Sequence, residues 1–257
     1  AKASLIKDGV VETTSEYEVG GDGNANRWMN GTGHPIRVPV IDLAEVSAGG
    51  GSIAWIDPGG ALKVGPQSAG AEPGPVCYDA GGTRPTVTDC NLALGYLDSE
   101  ALLAGRLAIR ADKAMTAIEE HLASPLGIGV DEAAAGVLNV VNAAMAEALR
   151  IVSVERGHDA REFSLVAFGG AGPMHAAELA AELGIREVIV PPIPGGFSAL
   201  GLVATDLKRD YVKTHFISLD QADTDAVSAA FSEMEASAQR MLRAAKIPEQ
   251  DWVLERV

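Results

Sequence analysis

The chain has 257 residues, 47% of them hydrophobic, enough apolar side chain for one large domain or two small ones with a real core. Its formal net charge of −15 excludes a nucleic-acid-binding face, which needs a basic stripe, but leaves room for one local cationic pocket. Its two cysteines, Cys77 and Cys90, show no zinc-type spacing and argue against a disulfide framework, although a single bond between them stays open.

The two cysteines read as ordinary thiols of a reducing cytoplasm. No apolar run reads as long enough to cross a bilayer and no signal peptide opens the chain, so a cytoplasmic protein away from the membrane is expected. Residues 3–9 look like the second arm of a hairpin, and the chain stops on Val257 in mid-pattern. The expectation is a piece of a longer protein.

Residues 3–19 read as two strands around Lys7-Asp8-Gly9. Residues 20–34 form a polar Gly/Asn loop that Trp28 could pin, and residues 36–46 are β-rich. The triple glycine Gly49-Gly50-Gly51 precedes Ser52 and a strand over 54–57, a pattern that fits either a bulge or close approach by a ligand or another backbone. Residues 57–86 are crowded with Pro and Gly and read as one long ordered loop crossing the surface. A helix follows over 92–97, capped by Thr88 or Asp89.

Further helices are expected over 112–122 and 131–155. In the second of these, Val137, Leu138, Val141, Met145, Leu149 and Val152 recur at helical steps, with Asn139 and Asn142 on another side. The run Phe163-Ser-Leu-Val-Ala-Phe-Gly-Gly-Ala-Gly-Pro-Met-His175 is a strand, a glycine turn and a helix start. Such a unit aims free N–H groups and the positive helix end at one spot, and it lets a flat ring approach the backbone. A plain strand-to-helix corner fits the same spacing. Residues 187–190 read as a short buried strand, 191–196 as a rigid turn and 197–203 as a helix start. Alternating strands and helices give an α/β class. Beyond a soft boundary near Lys208, residues 211–219 look β-like and 221–245 helical.

Among the five histidines no pair lies four apart and no HExxH occurs, so no self-contained metal site is expected. Neither a GxSxG elbow, nor a Walker A loop, nor a GxGxxG with its downstream acid is present. His175, in the first turn after the glycines, reads either as a phosphate or base ligand or as a local packing residue.

Several segments together resemble one family. They are Val38-Pro-Val-Ile-Asp42, Ala48-Gly-Gly-Gly-Ser-Ile-Ala-Trp-Ile-Asp57, Leu62-Lys-Val-Gly-Pro-Gln-Ser-Ala-Gly-Ala-Glu-Pro-Gly-Pro-Val-Cys-Tyr78, Gly81-Gly-Thr-Arg-Pro-Thr-Val-Thr-Asp89, Ala167-Phe-Gly-Gly-Ala-Gly-Pro-Met-His175 and Ser198-Ala-Leu-Gly-Leu202. The resemblance is to the hydantoinase A/5-oxoprolinase family, and it covers roughly residues 1–215. It implies an actin/sugar-kinase-like ATPase fold, of which residues 1–209 would be the second lobe and 210–257 the start of a C-terminal region. It implies ATP with a divalent cation, Mg in the first instance, bound largely by regions outside this chain. Gly169, Gly170, Ala171, Gly172 and His175 would lie on the adenosine side. Gly49, Gly50, Gly51 and Ser52 would face the cleft, toward phosphate or substrate. Asp42 and Asp89 are the candidate catalytic carboxylates, although helix capping explains Asp89 equally.

The implied activity is ATP-driven phosphorylation of an amide carbonyl oxygen, with hydrolysis of a cyclic amide. The implied partners are an N-terminal lobe of the same chain and a hydantoinase B-type subunit. The alternatives are the β-type subunit of an ATP-dependent ketone carboxylase and a non-catalytic nucleotide-binding or interaction domain. The loop 22–34 is longer than the resemblance leads one to expect, which bears on substrate identity rather than fold.

Overall fold

The computed structural model describes residues 1–14, 17–19, 33–36, 39–100, 109–216, 218 and 223–257. Most of the loop 22–34, with Trp28, lies outside them. The described residues form two compact units, Ala1–Ala204 and Thr205–Val257.

The first unit opens with short strands: β1 (Lys2–Ala3), β2 (Ile6–Lys7), β3 (Val10–Val11), β4 (Thr13–Thr14), β5 (Tyr17–Val19), β6 (His34–Ile36), β7 (Val40–Ile41) and β8 (Ala44–Glu45). Three antiparallel pairs, β1 with β8, β4 with β7 and β5 with β6, nest in chain order, each a two-stranded sheet of its own. The pair β2–β3 turns on Asp8 and Gly9, whose φ angles of 52° and 78° are those a tight two-residue hairpin requires. The expected turn at Lys7-Asp8-Gly9 is therefore present, but the single strand expected on each side is broken into several.

The glycine loop leads into β9 (Ser52–Ile56), paired antiparallel with β10 (Leu62–Ser68). The Asp57 carboxylate closes their turn, accepting from the N–H groups of Gly59 and Ala61 at 2.9 Å each. The register runs Leu62↔Ile56 to Val64↔Ala54, then slips to resume at Ser68↔Ser52. The slip surrounds Pro66, which has no N–H to give the ladder. The long loop expected over 57–86 is thus a strand in its first half. Its density of Gly and Pro concealed an apolar alternation at Leu62 and Val64. The second half is ordered as well, but its apex is buried rather than spread over the surface: Pro75, Val76 and Cys77 are inside.

Helix α1 (Val87–Ala93) follows, then α2 (Ala111–Ile118), which continues through a π turn over Glu119–Ala123 into the single turn α3 (Ser124–Leu126). Helix α4 (Val130–Val152) is the spine. Its stripe of Val137, Leu138, Val141 and Met145 packs with Ala54, Val87, Cys90, Ile118, Leu122 and Leu179 in the main core, and Val152 at its end packs with Leu5, Ala44 and Ala148 in a second cluster. Each such side chain contributes about 1.5–3 kcal/mol through burial. By length and composition alone Val130–Arg156 could cross a membrane, contrary to the sequence expectation. Half of its apolar window is buried inside the unit, as in the central helix of a globular core.

Strand β11 (Leu165–Val166), α5 (Gly172–Leu183) and β12 (Val188–Ile189) make a parallel crossover, Leu165↔Val188 and Val166↔Ile189. Helix α6 (Phe197–Ala204) comes next. The strand at 188–189 is exposed rather than buried as expected. Its ladder partner among the described strands is β11 alone; α5 packs on one side of the pair, where Leu165 meets the main core, and the outer side chains stay exposed. Val166, Phe168, Ile189, Ile193, Leu202 and Val203 all remain open.

In the second unit, α7 (Thr224–Ala244) starts at Asp223, whose side chain accepts from the Asp225 N–H at 2.9 Å. The β-like run expected over 211–219 forms no strand among its described residues. Tyr211 donates instead to the Ser237 carbonyl at 3.4 Å and Lys213 pairs with Glu233, so side chains tie the segment to α7.

Gly82 lies so close to Gly74 that a Cβ would sit 2.3 Å from the Gly74 carbonyl oxygen. Gly82→Ala is expected to destabilise the first unit by about 1–3 kcal/mol, read as a lower urea midpoint at unchanged slope.

Candidate functional site

Helix α1 begins with a reciprocal cap. Thr86 is the N-cap, and Asp89, not Thr88, answers it three residues on. Asp89 is fully buried. One carboxylate oxygen accepts from the Thr86 N–H and hydroxyl, both at 2.8 Å, and from the Val76 N–H at 3.2 Å. The other accepts from the Cys77 N–H at 2.7 Å. A buried carboxylate is tolerated only when its lone pairs are filled, and here four donors and the positive end of α1 do so. The same charge acts on its neighbours. Burial first, and Asp89 next, push the thiols of Cys77 and Cys90 far above the usual range, so both stay protonated. They are unbonded to each other.

The residue between, Thr88, reaches the glycine loop. Its N–H and hydroxyl both donate to the Gly50 carbonyl, each at 2.9 Å. A Cβ on Gly50 would meet Thr88 Oγ1 at 2.7 Å and the Ala171 Cβ at 3.7 Å. Gly50 is therefore where the loop 49–52, the start of α1 and the glycine turn 169–172 converge. The loop closes on itself: the Gly49 N–H donates to Ser52 Oγ at 3.1 Å and the Ser52 N–H to the Gly49 carbonyl at 3.0 Å.

The three glycines of the turn are all open, and one of them has a left-handed backbone. Gly169 has φ of 87°, and its N–H donates to the Pro194 carbonyl at 2.8 Å. Beside Gly170 and Gly172 a Cβ would find no atom within 4 Å. Helix α5 starts at Gly172 with Pro173 in its first turn.

His175 is fully buried behind this turn rather than on its open side. Its Nδ1 lies 2.8 Å from Asn142 Oδ1. Asn142 in turn donates through Nδ2 to Glu178, so its oxygen is an acceptor and His175 carries its proton on Nδ1. Burial, opposed by the Glu178 charge, lowers the His175 pKa and keeps the ring neutral. Tyr96 also donates to Glu178, at 3.4 Å. Asn142 was expected on a polar face, yet it is 5% exposed. It follows Leu138 by four and precedes Met145 by three, so the helical spacing itself placed it on the buried stripe. Asn139 is exposed.

Asp42 is engaged elsewhere. It is 8% exposed and paired with Arg156, which also meets Glu12 at 3.0 Å. This ion cluster fastens the paired strands to the turn after α4. The structure thus joins Asp89, Thr88, the loop 49–52 and the turn 169–172, whereas Asp42 is paired with Arg156 in that cluster.

Asp89→Ala strips four buried donors of their acceptor and is expected to cost about 3 kcal/mol or more in denaturant unfolding. His175 supplies a pH signature. Its folded pKa is lowered, so the unfolded chain takes up the proton first, near pH 6.5. Its contribution is complete above that pH and is lost as pH falls toward the folded pKa. The urea midpoint of the native chain is expected to drop more steeply from about pH 6.5 to 5 than that of His175→Gln.

The Hydantoinase/oxoprolinase family profile matches residues 1–211. An uncharacterized protein of Methanocaldococcus jannaschii is 51% identical over 234 residues, 91% of this chain and 34% of its own. Caprolactamase subunit alpha of Pseudomonas jessenii is 42% identical over 226 residues, 87% of this chain and 32% of its own. The nucleotide-free structure of acetone carboxylase, an ATP-dependent system, superposes at TM-score 0.77 and 30% identity over 95% of this chain and 34% of its own. The chain spans 32–34% of the length of these curated relatives. On a profile match that takes in all of the first unit and runs past it, this chain belongs to the hydantoinase/oxoprolinase family.

Proposed function

We propose that this chain is the nucleotide-binding part of an ATP-dependent enzyme that activates the carbonyl of a cyclic amide by phosphorylation and then hydrolyses the ring. The observation that carries this reading is the convergence at Gly50, where the loop 49–52 meets the open glycine turn 169–172 at the start of two helices. Open space beside Gly170 and Gly172 lets a flat ring lie on the backbone. Gly169, Gly170, Ala171 and Gly172 would hold the adenosine side, and His175 would position the turn from behind through Asn142. ATP supplies the phosphoryl group that makes an unreactive amide cleavable. We assign the divalent cation, Mg in the first instance, mainly to regions beyond these residues. Asp89 is assigned to holding the architecture, because its acceptors are filled.

The same reading extends to assembly. We assign residues 1–209 to one lobe of an actin/sugar-kinase-like ATPase and 210–257 to the beginning of a further region. The exposed side chains Val166, Val188 and Ile189 of the parallel pair β11–β12 and the apolar α6 support coverage by another lobe of the same protein, since parallel strands are stable when buried on both faces. A hydantoinase B-type subunit is the proposed partner, and the cytoplasm the proposed location. A second reading, a subunit of an ATP-dependent ketone carboxylase, is favoured by the superposition on acetone carboxylase over 95% of the chain.

Phosphate release by the full-length protein with its partner separates the two. Stimulation by hydantoins, 5-oxoproline or lactams is expected; stimulation by ketones only with bicarbonate would instead establish the carboxylase. Gly170→Val should abolish adenosine-nucleotide binding in calorimetric titration while shifting stability by less than about 0.5 kcal/mol, because the new side chain meets only the ligand's space. Unchanged nucleotide affinity would reject the assignment of the turn.

A further inference from the structure

Asn91 on α1 and His175 on α5 are both fully buried, and both hold polar atoms without a hydrogen-bond partner among the described residues. The atoms are Nε2 of His175 and both Nδ2 and Oδ1 of Asn91. Such atoms are rare in folded proteins, because each has given up its hydration without return.

Helical geometry brings the two residues together. On α1, Val87 and Cys90 face the core on α4, Leu92 turns to Cys77 and Ile109, and Thr88 points to Gly50. Asn91 follows Thr88 by three and Cys90 by one, so it falls between the Gly50 direction and the α4 direction. The neighbour on that side is α5. The space that a Cβ on Gly50 would take is bounded by Thr88 Oγ1 and by the Ala171 Cβ, and past the end of α1 Tyr96 donates to Glu178. Between these two anchors lie Asn91 on one helix and His175 on the other, four residues after Ala171 and three before Glu178. His175 gives its Nδ1 edge to Asn142 of α4, which leaves Nε2 for the α1 side of the wedge.

The chemistry of the three atoms selects what fits between them. With its proton on Nδ1, His175 presents a lone pair at Nε2, while the Asn91 amide presents two protons and an acceptor. An anion would meet the lone pair. A divalent cation would lack a carboxylate to balance it, because the Glu178 oxygens are taken by Tyr96 and Asn142. Full burial of both residues excludes a nucleotide ring. Water gives two hydrogen bonds and takes two, which suits a wall of mixed donors and acceptors.

We propose that Asn91 and His175 hold one internal water molecule between them, which donates to Nε2 and accepts from the Asn91 amide. Through it the helix that fixes Gly50 by way of Thr88 is tied to the helix that carries the turn 169–172. The two glycine segments then share a polar joint beneath them, whichever substrate the protein takes.

The test uses the full-length protein free of nucleotide and substrate. A crystal structure that resolves ordered water should show one peak about 2.7–3.2 Å from both His175 Nε2 and an amide atom of Asn91. Asn91→Leu, similar in volume but without polar atoms, should lose that peak and keep the bond between His175 and Asn142. In solution the ¹⁵N resonance of His175 Nε2 should move in this variant toward that of a nitrogen with no hydrogen bond, while that of Nδ1 keeps its place. Replacing a buried amide by an apolar group of its size leaves the fold intact, and the native crystal decides the question even where the variant misfolds. No peak in the native protein, a group of the chain in its place, a direct bond between Asn91 and His175, or a peak and an Nε2 resonance unmoved by Asn91→Leu would each overturn the proposal.

Discussion

The buried carboxylate of Asp89 is the constraint on which the first unit depends. Its four donors come from two places far apart along the chain: the N-cap of α1 and the apex of the Gly/Pro segment at Val76 and Cys77. Among the described residues no cation pairs with it; hydrogen bonds and a helix end balance the charge. Because Asp89 fixes the first turn of α1, it also fixes Thr88, and Thr88 fixes Gly50. A buried charge thus sets the position of the glycine loop 49–52.

A second linkage runs through α4. Its apolar stripe supplies the core, while Asn142 on the edge of that stripe orients His175 and meets Glu178, and Arg150 reaches Glu182 at 2.7 Å on the same partner helix. Helix α5 is therefore held against α4 along its length, and the glycine turn at its head is carried with it. Burying a neutral imidazole behind the turn costs hydrogen-bonding capacity at Nε2, which has no partner among the described residues. The gain is a rigid support for a backbone that must itself remain free of side chains.

The glycines divide by what surrounds them. Gly82 and Gly50 are required by contacts inside the chain, since a Cβ at either would collide with a backbone oxygen or an anchored hydroxyl. At Gly170 and Gly172 a Cβ would meet nothing within 4 Å. That contrast is invisible in a sequence where all four sit in similar Gly-rich runs.

The sequence by itself determined the elements whose signal is local. The 3.6-residue stripe announced α4, the strand–glycine–proline order announced the β11–α5 corner, and Lys7-Asp8-Gly9 announced a hairpin turn. The long motifs also carried the family. Tertiary structure decided everything that depends on partners distant along the chain. It turned Asp89 from a candidate acid into a filled acceptor, because the donors at Val76 and Cys77 are set by how the Gly/Pro segment folds back. It made a strand of Leu62–Ser68, because the pairing with β9 outweighs the poor β-propensity of Gly and Pro. It left β12 exposed, because burial belongs to neighbours rather than to the strand. It set Ser52 opposite Ser68 only after a register slip that no periodicity in the sequence encodes.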